Sequence, residues 1–282
     1  MAAAPETRAT ETTLQPDLFV CVGDSLTEQS WGQSGLGATL ADLYRRKLDV
    51  VNRGLGGYNT DWGLEAFKRW FPRKEGRQAK VQLMTIWWGA NDAALPGQAQ
   101  HVPLERFRSN IREMVSLIRD PASPYHSPET SIILINAPSF YPELWRDELL
   151  KRGVPKDQTR DRDPKVTREY AQAVISLGDE LGVPVADADA VVAQEIKRVG
   201  EENPKAIWSD GLHLTSLAYQ VVTKEVLRAI ETAYPEKHWE KLEMMLPDWQ
   251  SIATGALGPR FDTFTRAEKA VENAVAAGTD PF

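Results

Sequence analysis

A serine and a histidine with a nearby aspartate are the residues of this chain best suited to joint chemistry. Ser25 stands in the sequence Gly-Asp-Ser-Leu at 23–26, directly after an apolar run. Asp210 stands three residues before His213. A serine becomes a nucleophile when a histidine takes its proton and a carboxylate holds the histidine in the required tautomer. These residue types predict a nucleophilic triad and a hydrolase that acts on esters.

Both halves of this pattern also have a purely structural interpretation. Asp24 and Ser25 are typical of turns and helix caps, because their side chains accept hydrogen bonds from nearby amides. Asp210 or Ser209 would likewise cap a helix that has His213 in its first turn. In the chemical interpretation, the Asp210 carboxylate accepts from His213 Nδ1 and leaves Nε2 facing Ser25 Oγ. The two interpretations of Asp210 are compatible, since a capping turn would hold the pair rigid.

Attack on an ester also requires hydrogen-bond donors for the oxyanion that forms. The candidates are the backbone N–H groups of Ser25 and Gly57 and the side-chain amide of Asn91. Gly57 lacks the Cβ that would keep its amide away from a ligand. Asn91 also has an ordinary interpretation as a turn residue after a strand. Because the base must be neutral, we expect hydrolysis to fall as the pH drops through about 6–7.

Alternating apolar and amphipathic segments predict the elements that position these residues. We predict strands at 18–22, 49–52, 81–88, 131–137 and 183–186. We predict helices at 37–48, 61–71, 103–119, 164–181 and 214–233, two of them capped by Asp61 and Asp163. Short apolar strands separated by helices indicate an α/β fold, in which helices cover both faces of a five-stranded parallel sheet. Ligands bind beyond the carboxyl ends of such strands, so the candidate residues should converge at one rim.

The pattern divides the chain into three parts. Residues 1–16 are expected to form a mobile tail, and residues 17–234 a single hydrolase domain. Residues 235–282 are expected to form a helical extension, with helices at 236–246 and 265–277, that packs on its own chain or on a neighbouring subunit. The second arrangement would give a homodimer. Within the domain, the aromatic and charged insertion at 138–162 is long enough to belong to a binding site.

Composition excludes several classes of function. The chain of 282 residues has a formal net charge of −7 and no basic block, which disfavours binding to nucleic acid or to an anionic membrane surface. Cys21 is the only cysteine, so no intrachain disulfide is expected. The sequence shows no apolar run of membrane-span length and no signal-peptide pattern. We therefore expect a soluble intracellular protein, with the cytoplasm as the expected compartment.

Four sequence blocks, in order, resemble those of the SGNH (GDSL) hydrolases. They are Gly-Asp-Ser-Leu at 23–26, Gly57 within 52–60, Gly-Ala-Asn-Asp at 89–92 and Asp-Gly-Leu-His at 210–213. Within that family the chain is similar to the isoamyl-acetate-hydrolysing esterases of fungi and plants. The resemblance implies a flavodoxin-like three-layer α/β/α fold, no metal or other cofactor, and hydrolysis of short-chain esters such as acetates.

The resemblance also implies roles for individual residues. Ser25 would be the nucleophile, His213 the base and Asp210 its orienting carboxylate. The N–H groups of Ser25 and Gly57 and the Asn91 side chain would form the oxyanion hole. We further expect six residues near the rim to line the substrate pocket: Asp24, Leu26, Trp31, Trp88, Phe140 and Leu212.

Other functions remain compatible with the same residues. A carbohydrate O-deacetylase or a thioesterase would use the same triad, because only the pockets of such enzymes differ. A protein that binds acyl groups without turnover is disfavoured by the complete set of catalytic residues.

Overall fold

The computed structural model describes residues 15–77 and 79–255, which contain one five-stranded parallel sheet. The strands are β1 at Leu18–Gly23, β2 at Asp49–Gly54, β3 at Val81–Trp87, β4 at Ser131–Ile135 and β5 at Val185–Ala186. Their order across the sheet is β2-β1-β3-β4-β5, which is the flavodoxin-like order. The predicted α/β fold and its five parallel strands are confirmed.

Helices cover both faces of this sheet. The helices of the described residues are α1 at Ser25–Glu28, α2 at Leu36–Leu43, α3 at Thr60–Trp70, α4 at Leu104–Arg119, α5 at Pro142–Lys151, α6 at Pro164–Leu181, α7 at Ala188–Val199, α8 at Ser216–Ala233 and α9 at Trp249–Ala253. One face packs against α2, α7 and α8, and the other packs against α3, α4 and α6. The molecule therefore has the predicted three layers.

The side chains of β1 alternate between the two helix layers. Phe19 and Cys21 pack against the layer that contains α2, α7 and α8, whereas Val20 and Val22 pack against the opposite layer. This alternation follows from the two-residue period of a strand. Because both faces are covered, β1 is apolar along nearly its whole length.

The order of the strands creates a crevice at one edge of the sheet. β1 pairs with β2 on one side and with β3 on the other. After β2 the chain therefore crosses to the opposite side of β1 and continues outward in that direction. Such a reversal opens a ligand-binding crevice beyond the carboxyl ends of the strands. The segments that follow β1, β2 and β3 carry Ser25, Gly57 and Asn91.

Several predicted helix boundaries differ from the structure. The cap of α3 is Asn59, whose Oδ1 accepts from Trp62 N at 3.1 Å, and not Asp61. The Asp61 carboxylate instead accepts from Arg106 Nε at 2.7 Å. Asp163 caps α6 as predicted, accepting from Lys165 N at 2.9 Å. The local sequence offers two capping side chains before α3, and the contacts of Asp61 with α4 leave the cap to Asn59.

Two other segments differ from the predicted helices. No helix was predicted at Ala188–Val199, where α7 lies with Asp187 as its cap. The helix predicted at 236–246 is wrong, since this segment has a short 3₁₀ turn at Pro235–Lys237 followed by irregular turns. The helix predicted at 265–277 and the tail at 1–14 lie outside the described residues.

The described part of the extension packs on its own chain, next to the end of α2. Met245 N donates to Arg46 O at 2.7 Å, and Arg46 Nη2 donates to Leu246 O at 3.0 Å. Tyr44 OH donates to Lys237 O at 3.1 Å.

Within residues 15–77 and 79–255, none of the helices is both long enough and apolar enough to cross a bilayer.

Candidate active site

Ser25 is presented at the rim by a sharp turn from β1 into α1. Asp24 caps this turn, with its Oδ1 accepting from Leu26 N at 2.9 Å. Gly23 makes the turn possible, because a Cβ there would lie 2.3 Å from the Trp87 carbonyl oxygen on β3. As the first residue of α1, Ser25 has an N–H without an intrahelical partner.

Asp210 and His213 lie in the loop between α7 and α8. The Asp210 Oδ1 accepts from the backbone N–H groups of His213 at 2.9 Å and Leu212 at 3.0 Å. Its other oxygen, Oδ2, contacts His213 Nδ1 at 2.7 Å. One carboxylate therefore holds both the backbone of the turn and the imidazole ring. The cap of α8 is Thr215, and not Asp210 or Ser209.

The three side chains form one continuous line of hydrogen bonds. The His213 Nε2 lies 2.8 Å from the Ser25 Oγ, on the side of the ring opposite Asp210. Ser25 and His213 are both buried, at 7% and 8% exposure. The fold thus brings the serine within proton-transfer distance of an imidazole that is 188 positions away in the chain.

The electrostatics of this line favour an ionised Asp210. Burial raises the pKa of its carboxyl, but the hydrogen bonds from the His213 side chain and from two backbone N–H groups outweigh burial and lower the pKa to about 2. Arg152 Nη2 also lies 3.4 Å from Asp210 Oδ2. A carboxylate that stays negative stabilises the imidazolium that forms when the histidine accepts a proton.

Gly57 and Asn91 lie on the same rim as Ser25. Gly57 has a φ of +79°, a conformation that residues with a Cβ rarely adopt. Within the described chain, no hydrogen bond involves the Gly57 N–H. The Asn91 Nδ2 donates to the Tyr58 carbonyl at 2.8 Å, and its Oδ1 accepts from Arg162 at 3.2 Å. Both residues line the cleft that contains Ser25.

This cleft is small and has walls from several elements. It encloses about 360 Å³. Its lining comprises Ser25, Glu28, Gln29, Gly56, Gly57, Asn91, Gln100, Trp145, Leu149, Arg152, Asp161, Arg162, Leu212 and His213. The insertion at 138–162 supplies Trp145, Leu149, Arg152, Asp161 and Arg162, as its length and composition predicted.

Of the six residues predicted to line the pocket, the structure places only Leu212 in the cleft. Asp24 and Leu26 are buried beneath the rim, where Asp24 caps α1 and Leu26 joins the core. Phe140 packs with Trp145 and Leu149 behind the cleft wall.

The two tryptophans among the six also lie elsewhere. Trp88 is buried against α3, so close that a Cβ on Gly63 would lie 2.6 Å from its ring. Trp31 packs over Gly37 of α2 in the same way. Both indoles fill spaces that these glycines leave open, and neither reaches the cleft.

Arg162 and Gln100 are site residues that the sequence analysis did not single out. The Arg162 side chain is only 2% exposed, and its guanidinium donates to Ala90 O, Asn91 Oδ1 and Gln100 Oε1. The only sequence signal for it was its position in the predicted binding insertion. Neither residue belongs to the four sequence blocks.

Two buried carboxyls lie beneath the rim. Burial raises the pKa of Asp24 to about 6 and that of Asp92 to about 7. Asp92 Oδ1 accepts from Thr60 N at 2.9 Å, while Oδ2 is buried without a partner among the described residues. In the part of the chain that the structure describes, no three His, Cys, Asp or Glu side chains are grouped so that they could hold a metal ion.

An α/β fold that brings a serine, a histidine and an aspartate together at the rim of its sheet is typical of ester hydrolases. Residues 21–221 match the model of the GDSL-like Lipase/Acylhydrolase family, and the chain belongs to this family. It is a carboxylic ester hydrolase of the GDSL type.

Curated relatives and solved structures agree with this assignment. The chain is 35% identical over 233 residues to a Bos taurus protein named isoamyl acetate-hydrolyzing esterase 1 homolog, covering 82% of this chain and 86% of the relative. It is 31% identical to the isoamyl acetate-hydrolyzing esterase of Saccharomyces cerevisiae over 243 residues, covering 83% of this chain and 94% of the relative. The crystal structure of the lipase/acylhydrolase from Enterococcus faecalis matches this chain with a TM-score of 0.54 at 22% sequence identity. The match covers 81% of this chain and 98% of the Enterococcus chain, and it shows that the two share a fold.

Proposed function

We propose that this protein is a serine esterase that hydrolyses short-chain, acetate-type esters through a Ser25–His213–Asp210 triad and an acyl-enzyme. The observation that carries the proposal is the pair of contacts at His213: Nε2 to Ser25 Oγ at 2.8 Å and Nδ1 to Asp210 Oδ2 at 2.7 Å. A base that touches its nucleophile on one side and a carboxylate on the other meets the geometric requirement for this mechanism.

The first half of the reaction transfers the acyl group to the enzyme. As Ser25 Oγ attacks the ester carbonyl carbon, His213 Nε2 takes the hydroxyl proton and the carbonyl electrons move onto oxygen. The N–H groups of Ser25 and Gly57 and the Asn91 amide stabilise this oxyanion. The intermediate collapses, His213 passes its proton to the leaving alkoxide, and the alcohol departs.

The second half releases the acid. Water attacks the acyl-enzyme while His213 takes one of its protons. The second tetrahedral intermediate collapses, the serine oxygen recovers a proton from His213, and the carboxylic acid leaves. Asp210 stays ionised throughout and holds the imidazole by its Nδ1–H.

The size of the cleft supports a short acyl group. About 360 Å³ is at the lower end of ordinary ligand sites, and Trp145, Leu149 and Leu212 occupy its walls. The names of the bovine and yeast relatives, which refer to isoamyl acetate, support the same substrate class. We infer that esters with two to four acyl carbons are preferred.

Removal of the nucleophile is the first test. Ser25→Ala should lower kcat on p-nitrophenyl acetate by at least about 10⁴-fold and leave the thermal unfolding curve unchanged, because the side chain is small and lies at a rim. Ser176→Ala on α6, which removes a serine hydroxyl that donates to Gln172 O of the same helix at 3.1 Å, is the matched control and should retain full activity. Near-normal hydrolysis by Ser25→Ala would reject the mechanism.

A substrate panel tests the specificity. p-Nitrophenyl esters of increasing acyl length should show the highest kcat/KM from acetate to butyrate. Acetylated sugars and acyl-CoA, run in parallel, represent the deacetylase and thioesterase alternatives. A preference for acyl chains of octanoate length or longer would contradict the proposed substrate class and leave the triad untouched.

A further inference from the structure

Arg162 lies behind the proposed oxyanion hole and contacts three groups of the rim. Its Nη2 donates to Asn91 Oδ1 at 3.2 Å and to Gln100 Oε1 at 2.9 Å, and its Nη1 donates to Ala90 O. The guanidinium also lies over the Trp145 ring, 5.6 Å from its centroid. A cation that is 2% exposed and bonded on both sides of its planar fork has little freedom to move.

Gln100 continues these contacts to the other side of the cleft. Its Oε1 accepts from Arg162, and its Nε2 donates to the Gly57 carbonyl at 2.8 Å. One chain of hydrogen bonds therefore runs from Asn91 through Arg162 and Gln100 to Gly57. This chain joins the two oxyanion donors that lie outside the Ser25 turn, in addition to the direct bond from Asn91 to the Tyr58 carbonyl next to Gly57.

The contacts of Asn91 fix which end of its amide faces each neighbour. Arg162 has only donors, so the atom of Asn91 that faces it must be the oxygen. The Tyr58 carbonyl has only acceptors, so the atom that faces it at 2.8 Å must be the nitrogen. One N–H of the amide is used by Tyr58, and the second remains for the cleft that Asn91 lines.

We propose that Arg162 is a positioning residue for ester hydrolysis, which holds the Asn91 amide so that its free N–H meets the oxyanion, with Gln100 extending the same restraint to Gly57. This rests on the proposed function, in which Asn91 is an oxyanion donor. Preorganised donors are worth most when they do not have to reorient as charge develops.

The charges around Arg162 are compatible with this role. Burial lowers the pKa of its guanidinium, while Asp161, Asp24 and Asp92 oppose that shift. Asp161 Oδ2 lies 3.4 Å from Arg162 Nε, and its Oδ1 accepts from Trp145 Nε1 at 2.9 Å. The carboxylate thus holds both the cation and the ring over which it lies.

A double-mutant cycle separates positioning from general structural support. Arg162→Lys keeps the charge but removes the planar fork that reaches Asn91 and Gln100 together. In the wild-type background it should lower kcat by about 10²-fold, with KM changing much less. In an Asn91→Ala background, the same substitution should lower kcat no further, because the group that Arg162 positions is already absent.

Three outcomes of the cycle are distinct. Asn91→Ala alone should lower kcat by about 10²–10³-fold; if it keeps wild-type kcat, the oxyanion assignment in the proposed function is wrong and the positioning role falls with it. If Asn91→Ala lowers kcat and Arg162→Lys costs the same factor in both backgrounds, only the positioning role is overturned. Non-additive losses support it.

Two further variants complete the test. Arg160→Lys, on an exposed arginine of the same segment, is the matched control and should leave kcat unchanged. If Arg162→Lys does not fold, Gln100→Met takes its place, because it removes the acceptor for Arg162 and the donor to Gly57. Gln100→Met should also lower kcat with little change in KM, and with little further loss in the Asn91→Ala background. Additive losses there would equally overturn the proposal.

Discussion

At the scale of single residues, Asp210 uses its two oxygens for different purposes. Oδ1 accepts two backbone N–H groups and fixes the turn, and Oδ2 contacts the His213 ring. One side chain therefore fixes the turn and contacts the imidazole, as its spacing to His213 suggested, although it does not cap α8. The cap residue of α8 is a separate side chain, Thr215.

Asp210→Asn separates these two purposes. Asparagine keeps an oxygen for the backbone N–H groups, but its amide cannot hold the imidazole tautomer that the base needs. We expect kcat to fall by about 10³–10⁴-fold, while the melting temperature changes by only a few degrees. Steady-state kinetics and thermal unfolding measure the two effects. A variant with more than about a tenth of wild-type kcat would show that Asp210 does not orient the base.

The pKa of Asp210 adds a pH dependence to the same comparison. Its folded-state pKa of about 2 lies below the ordinary value of about 3.9. The ionised carboxylate therefore contributes stability that is fully present above about pH 4 and is lost as the pH falls through 2. The difference in unfolding free energy between wild type and Asp210→Asn, measured in urea, should shrink as the pH falls from about 4 towards 2. A difference that stays the same over this interval would contradict the lowered pKa of Asp210.

Contacts between residues that are close in the sequence were easier to predict than contacts between distant residues. Asp210 and His213 share one turn, so their spacing alone indicates the contact. Arg162 meets Asn91 only because the insertion folds back over the rim. Nothing in the local sequence around Arg162 carries that information.

At the scale of elements, the histidine loop is wedged against α5. Gly211 has a φ of +101°, and a Cβ there would lie 2.2 Å from the Trp145 backbone nitrogen. Its carbonyl accepts from Tyr141 N at 2.7 Å, just before α5 begins. The position of α5 thus depends on a glycine in the loop that carries His213.

Gly211→Ala should therefore be much more destabilising than alanine at another glycine with positive φ. Gly153, just after α5, is the matched control, because its φ is +81° and a Cβ there would meet no atom of residues 15–77 and 79–255 within 4 Å. Gly153→Ala should lower the unfolding free energy by about 1–2 kcal/mol, and Gly211→Ala by at least about twice that amount, since it adds a collision with backbone. Urea unfolding measures both, and equal losses would contradict the wedged arrangement.

The elements predicted well are those whose pattern is strong. The apolar strands and α6, with its cap at Asp163, follow from periodicity and composition. The helix α7 was not predicted, because only three of its residues are buried, Ala188, Val192 and Glu195, so its sequence shows a weak apolar face. The positions of Trp31 and Trp88, away from the cleft, could not be predicted, since each depends on a glycine of another element that leaves room for the indole.

At the scale of the whole molecule, the rim is built over buried carboxyls. Burial raises the pKa of Asp92 to about 7, far above the ordinary value of about 3.9. The folded state therefore holds its proton over a range in which the unfolded state has released it. This carboxyl lowers the stability of the protein progressively as the pH rises from about 4 to about 7, and the loss is constant above that range.

Asp92→Asn should remove this dependence. Asparagine keeps the oxygen that accepts from Thr60 N and cannot ionise. The unfolding free energy of the variant relative to wild type should therefore rise by at least about 1 kcal/mol between pH 4 and pH 7. Urea unfolding at several pH values measures the change, with Asp189→Asn on α7 as a control for the loss of one carboxylate. A relative stability that stays flat or falls over this interval would show that Asp92 is ionised in the folded protein.

The covalent intermediate offers the most direct test of the account. The full-length protein is mixed with p-nitrophenyl acetate, quenched in acid within the first turnovers, and digested for mass spectrometry. We expect one added acetyl group on the peptide that contains Ser25, and none on that peptide in His213→Ala. An acetyl group that forms within the first turnovers on another residue, with Ser25 unmodified, would contradict this mechanism.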